Sequence, residues 1–117
     1  MKAIDTQGLL SLLQGKEDAQ YVERELRNAE KRKTKIFIST YTLLELAYVL
    51  EKVLGVSKKE VEEILRTLLE DPVFKVEHET ELEEALRFYK DGMDLLEALK
   101  EAQYKKNRIS EKIGTPP

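Results

Sequence analysis

The chain has 117 residues, 41% of them hydrophobic and 37% charged, with a net charge of −3 and no cysteine. That length fits one domain with a modest core of its own. The missing cysteine excludes disulfides, thiolate metal sites and thiol catalysis, and the acidic balance argues against binding nucleic acid through bulk positive charge.

In chain order, Lys2–Asp5 reads as a short apolar strand ending in an acid, and Leu9–Leu13 as a short helix closed by Gly15. Residues 16–33 place Ala19, Val22, Leu26 and Ala29 at three- and four-residue steps, the spacing of an amphipathic helix. Lys35–Ser39 is β-branched and aromatic, hence a second strand. Residues 40–54 form a third helix that stops at Gly55, and Ser57 with Glu60 makes a capping box for a fourth, which ends before Pro72. Val73–Val76 is a third strand. Thr80 with Glu83 reads as a second capping box, and Asp91-Gly92 as a turn. Asp94 then caps a last helix reaching Lys106.

Short strands alternating with helices predict an α/β fold with a parallel sheet covered by helices. No apolar run is long enough to span a membrane and no signal peptide precedes Asp5, so a soluble, cytoplasmic protein is expected. The interleaved Glu and Lys residues suit a highly soluble, thermostable surface.

Open α/β sheets gather ligands at the carboxyl ends of their strands, where Asp5 falls. Its alternative role is to cap the helix after it. Glu45 lies in "STYTLLELAYVLEKVLG", a helix apolar almost all round. Burial of that helix would oblige Glu45 to find a metal, a cation or a shared proton. Its alternative place is a narrow wet stripe beside Lys52. Asp94 and Glu97 open the last helix, where a capping box is the local reading. Glu97 points roughly away from the apolar stripe of Leu95, Ala98, Leu99 and Ala102. Three or four carboxylates converging at one end of the sheet would suit a hard divalent cation, Mg²⁺ or Mn²⁺, and phosphodiester hydrolysis. Thr6 is placed to orient a metal-bound water or the Asp5 carboxylate. His78, the one histidine, has no partner at ligand spacing and reads as a surface residue. The basic run Lys31-Arg32-Lys33 ends a helix, where cations suit the dipole.

The opening "MKAIDTQGLLSLLQG" resembles that of PIN domains, in which a strand ends in Asp-Thr-Asn or Asp-Ser-Asn before a leucine-rich helix. The segment "IFISTYTLLELAYVLEKVLGVSKKEVEEILRTLLEDPVFKVE" resembles the next part of the VapC-type toxins, and "ALRFYKDGMDLLEALKEAQ" the stretch carrying that family's next acid. The similarity runs from Lys2 to about Lys106. It implies a three-layer PIN-like sandwich, its short parallel sheet of about three strands ordered 3-2-1 and flanked by helices. It also implies an Mg²⁺- or Mn²⁺-dependent endoribonuclease acting on RNA, often dimeric and held inactive by an antitoxin protein. Asp5 matches the family's first metal-binding acid, Glu45 its second and Glu97 its third, with Asp94 where a further acid sometimes sits.

The departures point the other way. Gln7 stands where Asn is usual, Glu97 is a methylene longer than Asp, and Lys100-Glu101 replaces an apolar pair. The family's fourth strand and the acid after it would come beyond the last residues of this sequence. The expectation is therefore a single PIN-like domain over 1–117 lacking the family's last strands, its activity weakened by loss of the fourth acid. The alternatives are a catalytically inactive, minimised or engineered scaffold, and a homo-oligomeric interaction module joined through an exposed edge strand.

Overall fold

A computed structural model describes residues 1–114. Three parallel strands, β1 (Lys2–Ala3), β2 (Ile36–Ile38) and β3 (Phe74–Val76), form a sheet in the order β1-β2-β3, so β2 is central and β1 and β3 are the edges. The α/β architecture and the strand order agree with the sequence expectation. Pairing sets Lys2 opposite Ile36 and Ile36 opposite Phe74. Parallel neighbours need long crossovers, and helices supply them here. Between β1 and β2 run α1 (Thr6–Gln14) and α2 (Ala19–Lys31). Between β2 and β3 run α3 (Thr40–Tyr48), a π-helical turn (Val49–Val53) that continues it, and α4 (Lys58–Glu70). After β3 come α5 (Glu79–Lys90) and α6 (Leu95–Lys106), packed against each other.

Local chemistry sets the element ends. Asp5 lies beyond β1 and caps α1, its carboxylate accepting from the Gly8 N–H at 2.9 Å, so the helix starts at Thr6 rather than Leu9. Gly15, at φ 63°, closes α1 in the left-handed conformation that glycine adopts without a Cβ penalty. Ser57 accepts from the Glu60 N–H at 3.2 Å and starts α4 as expected. The start of α5 differs. His78, at φ 53°, holds the N-cap position and Thr80 lies inside the helix. The Glu77 carboxylate is drawn away to the N-terminus of α3, and the sharp turn this requires is made at His78.

The core lies between the sheet and the helices. Ile38 from β2, Leu43 and Leu46 from α3, Leu65 from α4 and Leu86 from α5 are fully buried. Each such side chain contributes about 1.5–3 kcal/mol relative to full exposure. In α6 the buried set is Leu95, Ala98, Leu99 and Ala102, the stripe its spacing predicted.

Candidate functional site

The carboxyl ends of the three strands carry Asp5, Ser39 and Glu77. Ser39 caps α3 by accepting from the Thr42 N–H at 3.1 Å. Glu77 reaches across from the end of β3 to accept from the Thr40 N–H at 3.0 Å. That backbone hydrogen bond, with help from the Thr40 hydroxyl, holds the Glu77 carboxyl below its ordinary range. The free N–H groups of α3 are thus partly met from within the chain. Sequence reading missed Glu77, because its partner lies 37 residues away and no local pattern links them.

Asp5 lines a depression of about 560 Å³ beside β1, together with Gly8, Tyr21, Phe37, Ser39 and Thr42. Thr6 is buried at the start of α1. Gln7 lines a different depression, with Ser11 and Asp18.

Glu45 is exposed, which corrects the expectation that its helix buries it. Leu43, Leu46, Ala47 and Leu50 already fill the core side of the helix. The outward stripe is Tyr41, Glu45, Tyr48 and Lys52, all exposed, so the wet-stripe alternative holds. Glu45 lines a depression of about 310 Å³ whose walls also include Tyr48, Glu51, Tyr89, Asp94 and Leu96.

Asp94 occupies the N-cap position of α6, yet its side chain makes no capping bond, contrary to the capping-box expectation. Asp94 lines the same depression as Glu45. Glu97 is placed otherwise. It is exposed, hydrogen-bonds Lys100 at 2.9 Å one turn along the helix, and does not line that depression. His78 has a partner that the spacing did not suggest, the Glu81 carboxylate at 3.1 Å from Nδ1.

Beneath Glu45 and Asp94 lies a polar network. The Tyr89 hydroxyl, on a residue 1% exposed, donates to Glu51 Oε2 at 2.8 Å. The Lys58 ammonium sits 4.0 Å from the centre of the Tyr89 ring and 3.6 Å from Glu51 Oε1. Burial and then the bond to Glu51 push the Tyr89 phenol well above its ordinary pKa, so it stays protonated and donating. Burial opposes ionisation of Glu51, but Tyr89, Lys58 and Lys52 together hold its carboxyl below the usual range.

The carboxylates have the hard oxygen chemistry that Mg²⁺ and Mn²⁺ select. Among the described residues, however, no three His, Asp or Glu side chains lie close enough together to hold a metal ion. A closed three-carboxylate centre does not fit. Glu45 and Asp94 line one depression, and an open site, in which one or two carboxylates are completed by water and substrate phosphate, needs no third protein acid. No helix is long and apolar enough to cross a membrane among the described residues.

The family model described as "PIN domain" matches residues 2–110. A VapC ribonuclease of Aquifex aeolicus (strain VF5) is 30% identical over 116 residues, spanning 97% of this chain and 86% of the relative. No solved structure matches the chain. A family match over nearly the whole chain, joined to a parallel sheet with acids at and near its strand ends, identifies the chain as a member of the PIN-domain family.

Proposed function

We propose that the protein is a VapC-type endoribonuclease of low activity, with Glu45 and Asp94 as its principal acids and Asp5 in support. The observation that carries this reading is that Glu45 of α3 and Asp94 at the N-cap position of α6, 49 positions apart in sequence, line one depression. Family membership and the VapC relative supply the substrate class, RNA. A divalent cation bound there would supply charge neutralisation at the phosphate and an activated water. The chain's own residues do the rest. Glu45 and Asp94 present negative charge to the depression, and Leu96 and Tyr48 wall it with apolar surface. Asp5 stays engaged with the Gly8 amide and organises the strand end. An antitoxin protein as the restraining partner belongs to the same reading.

Low activity is proposed because, among the described residues, no three acids are grouped closely enough to hold a metal ion, and Glu51, the third acid lining the depression, is engaged by Tyr89 and Lys58. The same observation favours a second reading, a PIN scaffold without catalysis. The two separate on single-stranded RNA with millimolar Mn²⁺. The nuclease reading expects slow cleavage that chelation abolishes, at least tenfold reduced in Glu45→Gln and Asp94→Asn and little changed in Glu97→Gln. Cleavage that is absent, or indifferent to both principal variants, leaves the scaffold reading.

A further inference from the structure

The network under the depression joins four segments from two distant stretches of the chain, Glu51 and Lys58 in one and Tyr89 and Met93 in the other. Glu51 comes from the π-helical turn, Lys58 from the first residue of α4 and Tyr89 from the last turn of α5. The fourth is the turn between α5 and α6, where the Met93 carbonyl accepts from Lys58 Nζ at 3.3 Å. Asp94 comes immediately after. Packing alone would not require a lysine at this place. The Lys58 ammonium meets an aromatic face, a carboxylate and a backbone carbonyl at once, a set of contacts that fixes position as well as charge. The π-helical turn adds to this, since such turns recur where a helix carries a functional side chain.

We propose that Tyr89, Glu51 and Lys58 are positioning residues that clamp the Met93–Asp94 turn to the end of α3, and so hold Asp94 across the depression from Glu45. This rests on the reading of Glu45 and Asp94 as the working acids. Without the clamp the Asp94 side chain has no local restraint, because it makes no capping bond to α6. With it, the carbonyl before Asp94 is tied to the same lysine that meets Glu51. The π-helical turn after α3 and the turn before α6 are then joined through polar contacts beside the depression that both acids line.

The test uses the full chain and two measurements. Native-state amide exchange by NMR reads the clamp directly. The Gly92, Met93 and Ala98 amides bond the Tyr89, Phe88 and Asp94 carbonyls. In Tyr89→Phe and Lys58→Met these amides should exchange at least tenfold faster while α1 and α2 keep their protection, and Lys58→Arg should restore part of the loss. Arg66→Met, which breaks the Glu62–Arg66 pair elsewhere on α4, should leave them unchanged. Unchanged exchange in the first two variants, or an equal loss throughout the molecule, overturns the clamp. Calorimetric titration with Mn²⁺ alone reads its consequence. Tyr89→Phe and Lys58→Met should bind at least tenfold more weakly than the wild type, and equal binding overturns the positioning role. A wild type that takes no Mn²⁺ overturns the reading of the acid pair, and the exchange measurement then decides the clamp by itself.

Discussion

Asp5 caps α1, and the proposed nuclease function adds a second role, its negative charge at the strand end, that one substitution separates from the first. Its carboxylate satisfies the Gly8 N–H, one of the free donors at the start of α1. Asparagine caps about as well as aspartate, whereas alanine costs about 1 kcal/mol. Asp5→Asn should therefore keep the wild-type midpoint in urea and lose RNA cleavage, while Asp5→Ala should lose both. Equal cleavage by wild type and Asp5→Asn would reduce Asp5 to a cap. The space around it is tight. A Cβ on Gly8 would stand 2.8 Å from Ile4 Cγ1 and 3.5 Å from Asp5 Oδ1, so glycine lets α1 start close against the strand end. Asp5 was legible in the sequence because strand, acid and helix are consecutive. Asp94 was legible as an acid that could converge with Glu45, but in second place to Glu97. Its spacing to Glu97 matched a capping box so well that the cap overshadowed the other use of its carboxylate.

Elements were read best where the signal is local. Ser57 and Gly55 punctuate the chain where the sequence places them. Helix α5 shows the limit, since its start is displaced from the Thr80 box to His78 by the tertiary engagement of Glu77. Once there, α5 is tied to α6 by ion pairs. Lys106 Nζ lies 2.7 Å from Glu81 Oε1, and Lys105 Nζ 2.6 Å from Glu84 Oε1. The hydrogen bond from Lys106, with the charges of Lys106 and His78, holds the nearly buried Glu81 carboxyl below its ordinary value of 4.5. A carboxyl depressed on folding stabilises the fold fully above its unfolded pKa, and that stability is lost as pH falls through the folded pKa. The α5–α6 pair should therefore weaken progressively below about pH 4.5. In Lys106→Met this acid-dependent loss should be shallower, as read from urea midpoints from about pH 6 down to about pH 2, a span that covers carboxylate titration. A wild-type slope unchanged in the variant would remove Glu81 as its source.

The whole molecule is flat and extended, 53 × 32 × 19 Å, with a radius of gyration of 15.7 Å against about 13 Å for a compact domain of this length. With a three-stranded sheet, the core depends on a few fully buried side chains. Leu86→Ala should cost about 2–5 kcal/mol by urea denaturation, a large share of a small domain's stability. A loss below about 1 kcal/mol would mean that the site collapses around the gap.

The sequence by itself determined the class of fold, the three strands and their order, the caps at Asp5 and Ser57, and the family. The fold class, the strands and the caps rest on neighbours in the chain or on periodicity, and the strand order and the family on the resemblance of whole motifs to PIN domains. Only the tertiary structure decided that Glu45 faces outward, that Asp94 rather than Glu97 lines its depression, and that Glu77 serves the N-terminus of α3. Each of these depends on which face of a helix meets another segment tens of residues away. Packing fixes that choice after the elements exist, and one-dimensional spacing does not encode it.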